Sequence, residues 1–229
     1  MITIIHGDDI TKSRDYFLSE KQKIKNPVIL EKDVTLSELI QQTQGNNLFF
    51  ESKDVFIDNL FSSKKSNSIE FKEIINYLNK TQKSLSFFLW ENKTLDKKNL
   101  LLFKNPEVKI FNLPQTLFSF LDGIKPGNND NILFFHRALA SLPEDQLLYM
   151  IVRQFRLLIA LLDESGEKID EVKRLMPWQK SKLVRQANLF SVKKLLDIYN
   201  ELLKIDLEQK TGLLGCSLTQ AIDNLLLRI

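Results

Sequence analysis

The first half of the chain alternates short apolar runs with amphipathic stretches, whereas the second half carries only the longer, helical period. Runs at Ile2 to His6, Val28 to Leu30, Asp54 to Asn59, Leu85 to Trp90 and Val108 to Phe111 have the length and the β-branched or aromatic content of strands. Between them lie helical patterns. Thr35-Leu36-Ser37-Glu38 opens one with a capping-box spacing, and Ile74, Ile75 and Leu78 mark the buried face of another. Strands alternating with helices predict a parallel sheet covered by helices.

The cluster Lys125-Pro126-Gly127-Asn128-Asn129-Asp130 holds turn formers and no apolar residue, and no strand pattern follows it. Beyond it, Ser141-Leu142-Pro143-Glu144 and Ser217-Leu218-Thr219-Gln220 read as capping boxes. Val192, Leu195, Leu196, Tyr199, Leu202 and Leu203 recur on one predicted helix face, which Gly212 ends as a C-cap. The segment from Leu147 to Leu162 is apolar on nearly every side except at Arg153, Gln154 and Arg156, as a central helix would be. The expected organisation is an α/β domain over 1–124, a linker over 125–130 and an all-α bundle over 131–229.

Composition adds bounds. With 229 residues, 43% of them hydrophobic, the chain can fill real cores. A net charge of +3 is too small an excess to imply nucleic acid by itself. The single cysteine, Cys216, and the two histidines, His6 and His136, form no zinc-like spacing, which fits a reducing cytoplasm and predicts no metal. The start of the chain lacks the pattern of a secretory leader, and Leu157 to Leu162 is bracketed by Arg156 and Asp163, so no membrane partner is expected.

A strand, turn and helix at the head of an α/β domain is where phosphates would bind, and here the turn reads Gly7-Asp8-Asp9-Ile10-Thr11-Lys12-Ser13. A phosphate loop needs a second glycine before the Lys-Ser pair so that backbone N–H groups converge on the ligand. That glycine is missing, the loop is one residue short, and Asp8 and Asp9 would repel a polyphosphate. Asp54 and Asp58 do not follow four apolar residues as a magnesium-holding aspartate would, and no nucleophile is paired with a base. No catalytic residue and no cofactor are therefore expected.

Two surface features remain. Gln44-Gly45-Asn46-Asn47-Leu48-Phe49-Phe50 places large apolar residues after polar, turn-prone ones: they fold back onto the sheet, or they form an exposed wedge for a partner's pocket. Lys173, Arg174, Lys180, Lys182, Arg185, Lys193 and Lys194 occur without an intervening acid, a stripe that suits DNA phosphates, an acidic neighbour or water. Trp178 within it is expected to pack rather than to stack on bases.

In this order along the chain, these pieces resemble the delta subunit family of bacterial DNA polymerase III clamp loaders. Ile4-Ile5-His6-Gly7-Asp8-Asp9 is similar to that family's first strand and non-nucleotide-binding turn in an AAA+-like domain. Asn47 to Ile57 is similar to its clamp-contacting segment, with Gln44, Leu48 and Phe49 matching the contact and Phe50 beside them. Leu95-Asp96-Lys97-Lys98 is a third similarity. Ile151 to Leu158, and Asp206 with Lys210 before Gly212, resemble the helical collar. The three-helix lid of family members has no counterpart at the 125–130 linker.

The resemblance implies a non-catalytic subunit of a DNA-directed DNA polymerase holoenzyme that binds and opens the sliding clamp for loading onto primed DNA. Its implied partners are the clamp, gamma/tau-type ATPase subunits and a delta-prime-type subunit. Arg153 and Arg156 would make charge-assisted contacts to those subunits, or would reach the bundle's surface within this chain. Lys173, Arg174, Lys180, Lys182 and Arg185 would face DNA or a subunit. The alternatives are a diverged AAA+ ATPase dependent on Lys12, a DNA-binding module, and a helical scaffold unrelated to replication.

Overall fold

The computed structural model describes all residues except 32, 45–52, 65–66, 164–165 and 167–168. The chain forms two compact units, Met1–Leu113 and Pro114–Ile229. In the first, β1 (Ile2–Gly7), β2 (Val28–Leu30), β3 (Lys53–Asp58), β4 (Leu85–Trp90) and β5 (Glu107–Phe111) alternate with α1 (Ile10–Gln22), α2 (Leu36–Gln44), α3 (Leu60–Ser63), α4 (Ile69–Thr81) and α5 (Lys97–Leu100). All five expected strands are present to within a residue at each end. They form one sheet in the order β2-β3-β4-β1-β5 with every pairing parallel.

Parallel strands covered on both sides read as continuous apolar runs, because neither face meets water. β1 shows this fully, with every residue buried. Successive side chains of a strand point to opposite faces, so the sheet divides the core in two. On one side Ile4, Ile57 and Leu89 meet Leu39 of α2 and Phe71, Ile74, Ile75 and Leu78 of α4, the last four at the i, i+3, i+4, i+7 spacing of a helix face. On the other, Ile5, Phe56, Phe88 and Trp90 meet Phe17 of α1. Phe56 and Phe88 stack with ring centroids 4.6 Å apart.

The second unit is built from α6 (Gln115–Gly123), α7 (Asp130–Leu139), α8 (Glu144–Leu162), α9 (Asp170–Lys173), α10 (Pro177–Ala187), α11 (Val192–Thr211) and α12 (Leu218–Leu227). The fold class is thus the expected one, an α/β domain followed by an all-α bundle. α8 is its centre, with Leu147, Leu148, Ile151, Phe155, Leu157 and Leu158 buried and α10 and α11 packed along it.

Several local expectations change. The division lies between Leu113 and Pro114 rather than at 125–130, because α6 buries Leu117, Phe120 and Leu121 in the second unit, where Phe120 meets Phe135 of α7 at 5.6 Å. Residues 125–129 form the α6–α7 turn, and Asp130 begins α7. The turn is fastened by the side-chain amide of Asn131 donating to Lys125 O at 3.1 Å and by Gly127 N–H donating to Ile229 O at 3.4 Å. The cap of α8 is Pro143 and not Ser141. α11 is apolar over more of its circumference than the core covers: Leu195 and Leu202 are buried, but Val192, Leu196 and Leu203 are exposed. The Ser217–Gln220 capping box and the left-handed Gly212 C-cap form as expected.

Candidate functional site

The head of β1 is the place where an α/β domain would hold a phosphate, and the chain's own groups occupy it. Gly7 has φ +149°, and a Cβ there would lie 1.9 Å from Phe111 O, so β5 runs past at a distance only glycine permits. Asp9 N–H donates to that same Phe111 carbonyl at 3.0 Å. The buried Asp9 carboxylate caps α1, its Oδ1 accepting from Lys12 N–H at 3.0 Å, and the Lys12 ammonium lies 3.6 Å from Oδ2. Asp8 Oδ1 accepts from Leu113 N–H at 2.7 Å.

The hydroxyl and guanidinium that follow are engaged too. Ser13 Oγ donates to Ile10 O at 3.0 Å and accepts from Trp90 Nε1–H at 3.1 Å. Arg14 pairs with Asp58 at 2.6 Å and lies over the Trp90 ring at 4.5 Å. A carboxylate thus caps the helix where a phosphate would have to sit, the nearest lysine is half-exposed beside that carboxylate, and the nearest serine is buried against protein groups.

Beside this turn lies a buried carboxylate that the sequence reasoning missed. Glu91, at 0% exposure just after β4, accepts from Phe61 N–H at 2.7 Å and from the Ser62 hydroxyl at 3.1 Å. Burial pushes its carboxyl above the ordinary range, and the two hydrogen bonds oppose that shift. The available signal was an acid directly after the apolar run of Leu85 to Trp90. His6, buried in β1, accepts from Leu95 N–H through Nδ1 at 3.3 Å, and burial lowers its pKa. His136, half-exposed on α7, lies 3.1 Å from Asp223 of α12. Among the described residues, no group of His, Cys, Asp or Glu is arranged to hold a metal. No described helix is long and apolar enough to cross a membrane.

Of the expected clamp-contacting residues, Gln44 is the exposed last residue of α2. Leu48, Phe49 and Phe50 lie outside the described residues.

In the second unit, Glu171 of α9 joins the two arginines of α8. Its Oε1 accepts from Arg153 Nε at 3.3 Å and its Oε2 from an Arg156 guanidinium N–H. Both arginines therefore have an ionic partner within their own chain, with side chains 33% and 41% exposed. In the basic stripe, Lys173 pairs with Asp170 at 3.2 Å, Lys182 pairs with Asp122, and Arg185 Nε donates to Ser181 O at 3.3 Å. Arg174, Lys180 and Arg185 have no carboxylate within ion-pair distance among the described residues. Trp178 departs from the packing expected of it, being 64% exposed. Pro177 starts α10, whose inward face is formed by Leu183, Gln186 and Ala187, and Trp178 falls on another side.

Comparison with curated proteins finds no match to the sequence. Among solved structures, the chain is similar to the DNA clamp loader delta protein of Bacillus subtilis, with 16% identity and a TM-score of 0.48 over 99% of this chain and 94% of that one. Residues 114–228, which coincide with the helical unit, match the model of the C-terminal domain of DNA polymerase III delta subunits. The chain belongs to the DNA polymerase III delta subunit family.

Proposed function

We propose that this chain binds and opens the sliding clamp during its loading onto primed DNA, and leaves nucleotide hydrolysis to gamma/tau-type sister subunits. The observation that carries the proposal is the match of its helical unit, residues 114–228, to the delta family. The Asp9-capped turn supports it, because a subunit whose phosphate position is filled by its own carboxylate depends on neighbours for ATP chemistry.

In this reading the segment following Gln44 is the clamp contact, with Leu48 and Phe49 entering an apolar pocket of the ring and Phe50 beside them. Each anchor would contribute about 1.5 to 3 kcal/mol of apolar burial before the cost of ordering. Tight binding alone opens nothing. The subunit must favour the open clamp over the closed one, since a ligand shifts an equilibrium only by its differential affinity. The helical unit would gather the gamma/tau-type and delta-prime-type subunits. Arg153 and Arg156, a third or more exposed beside Glu171, keep donors available to such a neighbour. Lys173, Arg174, Lys180, Lys182 and Arg185 would face primed DNA or a subunit.

The test is binding of the purified chain to the sliding clamp of its own organism, beside a Leu48→Ala, Phe49→Ala double variant of unchanged folding. Wild-type binding that the double variant loses is the expected result. A folded wild-type chain that does not bind the clamp would overturn the proposal and leave a helical scaffold as the better account.

A further inference from the structure

We infer that the open edge of β5, with the cleft beside it at α5, binds an extended acidic segment of another protein, which joins the five-stranded sheet as a further strand. This goes beyond the clamp reading, since every residue involved lies apart from the Gln44 to Phe50 segment. β5 is the last strand in the order β2-β3-β4-β1-β5 and pairs with β1 alone. Met1 O accepts from Phe87 N–H at 2.8 Å and Ile5 O from Glu91 N–H at 2.9 Å, so the odd residues of β1 turn their polar groups toward β4 and the even ones toward β5. On β5 the residues that answer them are Glu107, Lys109 and Phe111, and Phe111 O accepts from Asp9 N–H at 3.0 Å. Val108 and Ile110 therefore direct their N–H and C=O groups outward, where no group among the described residues bonds to them. An unpaired strand edge of this kind is a template for another strand.

The side chains beside that edge offer an apolar surface. Val108 and Ile110 lie in register with Ile4 and His6, on the face of the sheet that Leu95, Leu100 and Phe103 cover. Ile110 is nonetheless 55% exposed. Just before β5 a cleft of about 370 Å³ is lined by Leu100, Leu101, Phe103, Pro106 and Lys97, with Leu101 81% exposed. That space takes a large apolar side chain.

Charge and hydrogen bonding decide the occupant. Five lysines and two acids occur between Lys93 and Lys109. Lys109 pairs with Glu107 at 2.7 Å, whereas Lys97, Lys98 and Lys104 are exposed and have no carboxylate within ion-pair distance among the described residues. Lys97 lines the cleft itself, so a carboxylate on the occupant meets an unpaired ammonium there. A second copy of this chain would bring the same lysines against these. A phosphodiester backbone offers acceptors only, which leaves the Val108 and Ile110 carbonyls unanswered, and Phe103, 5% exposed, gives bases no ring to stack on. A peptide backbone supplies donors and acceptors alternately along such an edge.

The test selects displayed random peptides on the immobilised full chain and measures the best binder, fluorescein-labelled, by anisotropy. The expected consensus places Leu, Ile or Phe among Asp and Glu residues. Ile110→Pro removes an outward N–H without touching the β1 ladder, a change that edge strands tolerate. Binding should weaken about tenfold or more in this variant and in the Lys97→Glu, Lys98→Glu double variant, each a difference of about 1.4 kcal/mol or more. Bound peptide should also slow hydrogen exchange of the Val108 and Ile110 amides in the wild-type chain, a readout that needs no variant to fold.

No consensus, a consensus without carboxylates, undiminished binding by the lysine double variant, or unchanged exchange at Val108 and Ile110 would each overturn the proposal. So would a dimer in sedimentation that Ile110→Pro abolishes, or labelled oligothymidylate binding through Lys97 and Lys98 that the acidic peptide does not displace. The lysine double variant should retain wild-type clamp binding, so failure here is distinguishable from failure of the clamp reading.

Discussion

The Asp9 carboxylate accepts the backbone N–H of Lys12 at 3.0 Å, inside the turn where a nucleotide-binding domain would bring its N–H groups to a phosphate. The helix N-terminus is thereby satisfied by an internal anion. Asp9→Ala should cost about 1 to 2 kcal/mol in a urea unfolding series, the usual loss for a removed cap. It should not create saturable ATP binding, because Phe111 still closes the turn over Gly7. Saturable binding of a fluorescent ATP analogue by the wild-type chain, abolished by Lys12→Ala, would contradict this account.

Gly7→Ala tests the close passage of β5 directly. A methyl group placed 1.9 Å from Phe111 O, on a backbone at φ +149°, forces β1 and β5 apart. The expected loss is about 3 kcal/mol or more, read as a lower urea midpoint. A midpoint shift of only a few tenths of a molar would show that the edge strand yields easily.

Gln186 joins three elements of the helical unit. Its Nε2 donates to Leu121 O at 2.7 Å and to Ile124 O at 2.9 Å, and its Oε1 accepts from Gln154 Nε2 at 2.7 Å. Gln186→Leu leaves these buried groups unpaired and should cost about 3 kcal/mol. Adding Gln154→Leu removes one of the orphaned groups, so the double variant should lose less than the sum of the two single losses. Strict additivity in calorimetry would mean that the pair is not coupled.

Glu91 should make stability fall as the pH rises. Burial raises its folded-state pKa above the ordinary 4.5, so the folded chain holds the proton more tightly than the unfolded one. Between 4.5 and the raised value that preference is progressively lost. Glu91→Gln keeps an acceptor for Phe61 N–H and carries no charge, so it should exceed the wild type in stability at neutral pH, with the difference vanishing below 4.5. Parallel stability profiles across that range would refute the assignment.

His6 acts in the opposite direction. Burial lowers its folded-state pKa below 6.5, so its contribution is complete above 6.5 and is lost as the pH falls through the lowered value. His6→Asn retains an acceptor for Leu95 N–H without a titrating ring. It should flatten the acid side of the stability profile, measured as the unfolding midpoint across a pH series. An unchanged slope would assign acid sensitivity to other groups.

What the sequence determined by itself was local. The strand segments follow from short apolar, β-rich runs, and the faces of α4 and α8 follow from helical spacing. The Gly212 and Ser217 caps follow from residues acting on their immediate neighbours. The missing second glycine after Gly7 was equally legible, because a phosphate loop is a contiguous motif.

Tertiary structure decided the rest. Periodicity shows that a face is apolar without naming what covers it. The Leu117, Phe120 and Leu121 face of α6 is therefore placed only by Phe135 packing against it, and Val192, Leu196 and Leu203 of α11 are exposed although they share its apolar pattern. The strand order β2-β3-β4-β1-β5, the passage of Phe111 past Gly7, the burial of Glu91 beneath Phe61 and Ser62, and the exposure of Trp178 all depend on residues distant in sequence. Burial, unlike a cap or a turn, is a property of the neighbours that the rest of the chain supplies.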